Sequence, residues 1–452
     1  MSRTGTTPIT EGVIWKQLLT FFFPILMGSF FQQLYNTADT IIVGRAIGTQ
    51  ALAAVGSCAA LINLVNGFFI GLSSGATVIL SQYYGAGEKT GTETALHTGM
   101  TLSLILGIIT MVIGLVFGPD ILRLIRTPEN CMADAAVYIR IYFTGAIASM
   151  IYNMGTGILR AMGDSRRPLI FLVISCFLNI LLDILFVADL KLGVAGAAAA
   201  TAVSQCISAA AVVLSLCRLP EENRLCLKKL GIDPGILSRT LFIGVPAGLQ
   251  FITYDFSNLI SQSCINSFGD VTGAAWIAYI KSDSIIWMII TAFGAAITTF
   301  AGQNFGAGKL DRVKKSVRIC MVISTVIILA LSALEVIFRE WILGIYTTDA
   351  EVIRTGAYII ACTVPFCFFF IPVEVMGGAM RGAGYTLIPT VITVIFACVF
   401  RVLWVWFVVE RWHSLFMLVI CYPISWFACA CLYLLVYLQG SWRKIPPVVE
   451  TP

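Results

Sequence analysis

The sequence predicts an all-α polytopic membrane protein of twelve transmembrane helices, in two six-helix lobes related by a pseudo-two-fold axis along the membrane normal. Composition is the first observation behind that fold class. The chain is 58% hydrophobic and 12% charged, with a mean hydropathy of +0.90. A soluble domain carries about 25% charged residues, so water is excluded as the solvent for most of these side chains. Duplication is the second. Gln82-Tyr83-Tyr84-Gly85-Ala86-Gly87 returns 221 residues later as Gln303-Asn304-Phe305-Gly306-Ala307-Gly308, and Gly157-Ile158-Leu159-Arg160-Ala161-Met162-Gly163 as Gly378-Ala379-Met380-Arg381-Gly382-Ala383-Gly384. Pro168 and Pro389 keep the same offset. A duplicated apolar unit is the usual build of a secondary transporter.

The third observation is the number of apolar stretches long enough to cross a bilayer core, which takes about 20 residues. A polar start of seventeen residues precedes the first and no small-residue cleavage site follows it, so it reads as a retained anchor. In the first half the spans are 17–43, 52–83, 94–117, 133–159, 168–188 and 193–217. The longest polar connection follows, Arg218 to Arg239, with Pro220, a charge cluster and Gly231-Ile232-Asp233-Pro234. The second half supplies 237–268, 272–301, 316–338, 353–377, 388–409 and 413–439. The expected organisation is a lobe over 1–217, a cytoplasmic linker over 218–236 and a second lobe over 237–452.

Basic residues set the orientation. With the N-terminus inside, 19 of the 29 Lys and Arg residues fall on the inner side and 7 on the outer. Both termini are therefore expected in the cytoplasm. An even number of spans per unit gives both halves one orientation, as parallel repeats require. Of the fourteen cysteines, Cys58, Cys176, Cys206, Cys264, Cys398 and Cys421 sit in apolar runs, and Cys131 is expected in an outer loop with no loop partner. They read as small apolar residues, neither disulfides nor metal ligands.

Each ionisable group at membrane depth costs about 2.5–3.5 kcal/mol even on the mildest scale, so each needs a reason. Asp39 lies in the first span and Asp183 in the fifth; Asn179 is one turn before Asp183 on the same helix face. Thr201 adds a hydroxyl early in the sixth. At about 1.5 Å per residue, Asp39 is about 9 Å from Arg45, Asp183 about 8 Å from Asp189 and Thr201 about 12 Å from Gly193. All four residues fit one pocket in the outer half of the membrane. Two carboxylates, an amide and a hydroxyl are oxygen ligands for a hard monovalent cation, or a pair sharing protons. Adding 221 to Asn179 and Asp183 gives Phe400 and Trp404, so this pocket is expected in one half only.

The second half carries Asp255, Lys281, Asp283, Glu374 and Arg401 within spans. Depth allows a Lys281–Asp255 ion pair, read equally as a helix clamp or a functional site. Glu374 aligns with Asn153 and is a candidate for the lower cavity. Asn258, Gln262 and Asn266 form an i, i+4, i+8 stripe, matched in the first span by Asn36 and Thr40. Such a stripe lines a cavity or holds helices together. Pro24 and Pro246 each free a carbonyl within a span, where a kink that changes during transport is expected.

Two apparent catalytic motifs fail on context. Gly71-Leu72-Ser73-Ser74-Gly75 has the nucleophile spacing but sits inside a span, where the small residues favour close helix contact. Gly85 to Thr90 has Glu88 where a phosphate loop has glycine. With no H-E-x-x-H and only two histidines, the sequence points to a transporter and away from an enzyme.

The segment Gln32-Gln33-Leu34-Tyr35-Asn36-Thr37-Ala38-Asp39-Thr40-Ile41-Ile42-Val43-Gly44-Arg45 resembles the first-helix pattern of the multidrug and toxic compound extrusion (MATE) family. Leu178-Asn179-Ile180-Leu181-Leu182-Asp183, the run from Gly193 to Thr201, Gly302 to Gly308, and Arg401 extend the resemblance over nearly the whole chain. It looks nearest the bacterial branch related to DNA-damage-inducible pumps. The resemblance implies two six-helix lobes around a central cavity, exporting amphipathic, mostly cationic small molecules against inward H⁺ or Na⁺. It assigns Asp39, Asn179, Asp183 and Thr201 to the cation site, as metal ligands where the ion is Na⁺. Some members carry a functional glutamate near the position of Tyr254; here Asp255 stands beside it.

The expected setting is the bacterial cytoplasmic membrane, with no organic cofactor and no nucleic-acid partner, and with a single chain sufficing for transport. A lipid-linked precursor flippase of the same superfamily is the alternative, and would call for a more cationic cavity. A major-facilitator porter would carry a charged Gly-Asp-Arg-type loop where Gly85 to Lys89 stands.

Overall fold

The computed structural model of the chain describes residues 9–125 and 127–446. Both chain ends, for which the sequence predicts a cytoplasmic position, lie outside the described residues. Twelve spans follow one another: α1 (Ile14–Ala46), α2 (Thr49–Ala86), α3 (Lys89–Leu124), α4 (Glu129–Thr144 with Ala146–Ala161), α5 (Arg166–Asp189), α6 (Gly193–Cys217), α7 (Pro234–Asn266), α8 (Asp270–Gly306), α9 (Leu310–Ile337), α10 (Ala350–Gly382), α11 (Leu387–Trp412) and α12 (Leu415–Gln439). Among the described residues there is no strand. Each expected span therefore has its helix, and most run a turn longer than their apolar stretch.

Four helices depart from regularity where the sequence gives a reason or the packing does. α4 bends by 48° at Gly145, where a Cβ would lie 3.2 Å from the Ala202 Cα of α6. α5 ends in a π-helical turn, Ile184–Asp189, that begins at the residue after Asp183. α10 tightens into a 3₁₀ stretch over Val364–Phe370, which contains Pro365, a residue without an N–H to donate. α11 carries two π stretches, Val394–Val399 and Val405–Val409.

The chain forms two compact units, which depart from the halves of the sequence in two segments. One is built on Phe23–Gly248, the other on Ile9–Phe22 and the chain from Leu249 onward. The start of α1 thus belongs with the second unit and the first half of α7 with the first. Pro24 and Pro246 both fall within two residues of the changeover.

In the first unit the connection ahead of α7 docks on α3. The Cys226 N–H donates to His97 Nε2 at 3.0 Å, and the Asp233 N–H to Thr98 Oγ1 at 3.1 Å. Lys229 Nζ pairs with Glu93 at 2.7 Å. In the second unit the segment ahead of α1 docks on the α8–α9 turn. Gln303 Oε1 accepts from the Ile9 N–H at 2.8 Å, and Arg312 donates to Gly12 O at 2.8 Å and to Gln17 Oε1 at 2.6 Å. Phe22 and Phe293 stack at 4.0 Å.

The duplication is visible inside each unit as a repeated contact. In the first, the Gly157 position of α4 abuts Ser73 O and Thr77 Oγ1 of α2. In the second, Gly378 of α10 abuts Gly294 O and Thr298 Oγ1 of α8, every partner displaced by 221. Thr77 and Thr298 each return their hydroxyl to the carbonyl four residues back, at 2.9 and 2.7 Å. Gly71 and Gly75, the apparent nucleophile motif, lie against the α7 backbone at Gly248 and Gly244. That pattern is a close helix contact.

All fourteen cysteines are free. Cys131 does not stand in an outer loop: it is fully buried in the first turn of α4. Cys206 and Cys431 are exposed on their helices.

Candidate functional site

The first unit holds its polar residues on the wrong face of an apolar helix. Beyond Pro168 in its first turn, the buried positions of α5 are Cys176, Asn179, Asp183 and Val187, spaced at three and four residues as one helix face requires. Phe177 and Leu181 on the opposite face are exposed. Apolar side chains therefore face outward and Asn179 and Asp183 face in, the arrangement a membrane helix needs to bury polar groups among protein. α1 contributes Asp39 and α6 contributes Thr201, and all four residues are buried, Asp183 completely.

The carboxyl groups of Asp39 and Asp183 lie within hydrogen-bonding reach of each other. Neither ionised carboxylate carries a donor. Asp39 Oδ1, both Asp183 oxygens and both polar atoms of the Asn179 amide have no hydrogen-bond partner among the described residues. Leaving four buried acceptors and one donor unmet is unusual, since buried polar groups nearly always find a partner. One proton or one cation between the carboxylates supplies what the protein does not. Tyr35, one turn before Asp39, places its Oη 3.4 Å from Thr201 Oγ1.

Around this centre lie residues that the sequence reading did not single out. Tyr138 and Tyr142 of α4 stack at 6.3 Å, and Tyr142 Oη accepts from the Asn66 amide at 3.2 Å. Tyr138 is within electrostatic reach of Asp39 and Tyr35. Both tyrosines belong to an apolar cluster with Val43, Cys58, Ile139, Phe143, Val187 and Ala197. The i, i+4 spacing of Tyr138 and Tyr142 was the available signal, and it is also what ordinary core tyrosines show.

The second unit distributes its charges differently. Asp283 is buried on α8, where its Oδ2 accepts from Trp287 Nε1 at 2.6 Å and Tyr279 Oη at 3.2 Å. Arg401 is buried on α11, with Nε donating to Ser425 Oγ at 3.0 Å and the guanidinium 4.4 Å from the Tyr422 ring centroid. Trp276 bridges the two groups, 5.0 Å from Tyr279 and 5.4 Å from Tyr422. Glu374 pairs with Arg381 Nη2 at 3.4 Å, so the lower-cavity expectation meets an ion pair.

Lys281 and Asp255 form no ion pair among the described residues, and both are exposed. Matching depth alone does not make a pair. Asn36 and Asn258 are likewise exposed, while Gln262 spends its amide on Asn266 at 2.9 Å within α7. The second unit also buries a carboxylate absent from the sequence-derived candidates, Glu335 of α9, which accepts from Ser282 Oγ at 2.7 Å.

Twelve spans in a duplicated framework, with unmet carboxylates buried at membrane depth, define a membrane transporter. The MatE family model matches residues 24–185 and again 246–407, and the chain belongs to that family, whose members are transporters and not enzymes. It is 30% identical over 440 residues to the probable multidrug resistance protein YoeA of Bacillus subtilis, covering 95% of each chain. The probable multidrug resistance protein YpnP of the same organism is 29% identical over 405 residues, covering 87% of this chain and 88% of its own. Among solved structures, a MATE protein in the straight conformation superposes with a TM-score of 0.90 at 23% identity, over 98% of this chain and 100% of the other.

Proposed function

We propose that the chain is a cation-coupled antiporter that exports amphipathic, mostly cationic small molecules across the bacterial cytoplasmic membrane by alternating access, with H⁺ or Na⁺ as the coupling ion. The observation that carries this reading is the Asp39–Asp183 pair, two buried carboxyl groups in reach of each other with no donor between them among the described residues. Such a pair binds one monovalent positive charge well and tolerates its absence poorly, because like charges in a poorly solvated site repel. Asn179 and Thr201 complete an oxygen-rich set for that charge.

The multidrug resistance relatives favour drug-like substrates. Loading the pair with H⁺ or Na⁺ cancels the negative field that would hold a cationic substrate, which couples entry of the ion to release of the drug. The excess of basic residues on one side of the spans supports cytoplasmic termini. One chain contains the whole cation set, so transport is expected from a monomer.

The test is ethidium efflux from sealed vesicles under separately imposed H⁺ and Na⁺ gradients, with wild type, Asp39→Asn and Asp183→Asn. Efflux under one gradient, lost in both variants, identifies the ion and supports the antiporter. Efflux that survives both substitutions rules out the pair as the coupling site, and no efflux under either gradient turns the reading to lipid-precursor flipping.

A further inference from the structure

The second unit carries an open groove that ion coupling in the first unit does not use. Its volume is about 590 Å³, and its wall runs from Ser282 and Ile285 of α8 past Leu331 and Glu335 of α9 to Phe338, Trp341 and Ile345 in and around the short helix that follows. The volume lies within the roughly 300–1,000 Å³ of small-molecule sites. Trp341, Ile345, Ile285 and Phe338 are more than half exposed. Ile285 lies within a span, and Phe338, Trp341 and Ile345 follow directly on the end of α9.

Glu335 does not belong on such a wall by packing alone. It is 6% exposed, and no Lys or Arg pairs with it among the described residues. Its protein partner is Ser282, whose hydroxyl also lies 2.9 Å from Tyr279 O. A hydroxyl has one proton to give, so Ser282 cannot serve both acceptors at once. Moving a carboxylate out of water without a counter-charge costs several kcal/mol, roughly. Neighbouring Asp283 is no remedy: a helix turns about 100° per residue, and Asp283 points into the Tyr279–Trp287 cluster and adds negative charge nearby.

We propose that this groove binds an amphipathic amine from the bilayer, with the ammonium on Glu335 and the apolar body along Leu331, Phe338, Trp341 and Ile345. Charge complementarity selects the occupant. A phosphate or fatty-acid headgroup would meet a carboxylate of its own sign, and a neutral alkyl chain would leave Glu335 without a counter-ion. The groove belongs to the second unit and the Asp39–Asp183 pair to the first; on the antiporter reading proposed above, a substrate cation held in the groove enters from the membrane and not from water.

The probes are a diazirine-bearing dodecylamine and the diazirine-bearing dodecanoate of equal chain length, photolysed on the full chain in lipid nanodiscs and mapped by peptide mass spectrometry. Saturable amine labelling of the 331–346 segment, absent with the carboxylate probe, is expected. Glu335→Gln should weaken it by about tenfold or more, Leu331→Trp should block it by filling the groove, and Asp183→Asn should leave it unchanged. Equal labelling by the two probes, labelling that does not saturate, or Glu335→Gln labelling like wild type overturns the proposal. Should a variant fail to fold, the comparison of the two probes on wild type decides alone.

Discussion

Tyr35 Oη and Thr201 Oγ1 touch at 3.4 Å across α1 and α6, beside the Asp39–Asp183 pair. That separation is longer than the 2.7–2.8 Å or so at which O–H···O bonds cluster. The two hydroxyls are in contact without being locked. Thr201 therefore keeps freedom to turn a lone pair toward a cation, or its proton toward a carboxylate.

A first prediction follows from that freedom. Thr201→Val should raise the ion concentration needed for half-maximal efflux several-fold, while Thr201→Ser stays near wild type. Tyr35→Phe loses a weak neutral contact worth at most about 1 kcal/mol and should change thermal stability little. Titration of efflux against Na⁺ and against pH checks the two Thr201 variants, and thermal unfolding checks Tyr35→Phe; an unchanged ion dependence in Thr201→Val would remove the hydroxyl from the site.

The repeated glycine contact predicts a stability loss in either unit. A Cβ at Gly378 would lie 2.7 Å from Gly294 O and 2.7 Å from Ile297 Cγ2, closer than side chains approach. Gly378→Val should cost about 1–3 kcal/mol by overpacking, and Gly157→Val should behave alike against Thr77. Thermal unfolding in detergent measures both; a valine tolerated at either position would mean that the helices part easily there.

Arg401 carries a prediction with the opposite sign. It is a buried cation whose contacts are Ser425 and the Tyr422 face, with no carboxylate bridge among the described residues. Replacing a buried charge by an apolar side chain of similar volume is often neutral or stabilising. Arg401→Met should thus keep or raise the unfolding temperature. A loss of transport without a loss of stability would identify a functional cation, whereas a large destabilisation would reveal that the aromatic cluster depends on it.

The docking of the N-terminal segment is local and separable. Arg312 donates to Gly12 O and to Gln17 Oε1 and stands 5.4 Å from the Phe300 ring. Arg312→Ala should free the segment ahead of α1 to proteolysis and hydrogen exchange while changing global stability by less than about 1 kcal/mol, because loosely held chain ends open independently of the core. Protection of the segment equal to wild type would mean that Gln303, Asn304 and Lys309 suffice.

Much of the molecule was legible in order along the chain. Asn179 and Asp183 sit at i, i+4 in an otherwise apolar run, and burial of that face was the natural consequence. Asp39 and Thr201 were placed with them by counting residues from the span ends, and the structure brings all four into one buried region. Glu335 was not legible as a site, since it lies two residues before the end of α9, where an acidic residue is ordinary. The Lys281–Asp255 pairing failed for a related reason: counting gives depth in the membrane but not the direction a side chain takes around its helix.

The solvent, the twelve spans, the 221-residue repeat and the oxygen-bearing residues Asp39, Asn179, Asp183 and Thr201 could be read along the chain. All of these depend on composition and on distance along the chain. Helix packing had to be seen for the exchange of segments at Pro24 and Pro246, the bend of α4 at Gly145, the unmet acceptors around Asp183 and the groove beside Glu335. Each is set by how far one helix is rotated against its neighbour, and that angle is chosen by many weak contacts between residues far apart in sequence.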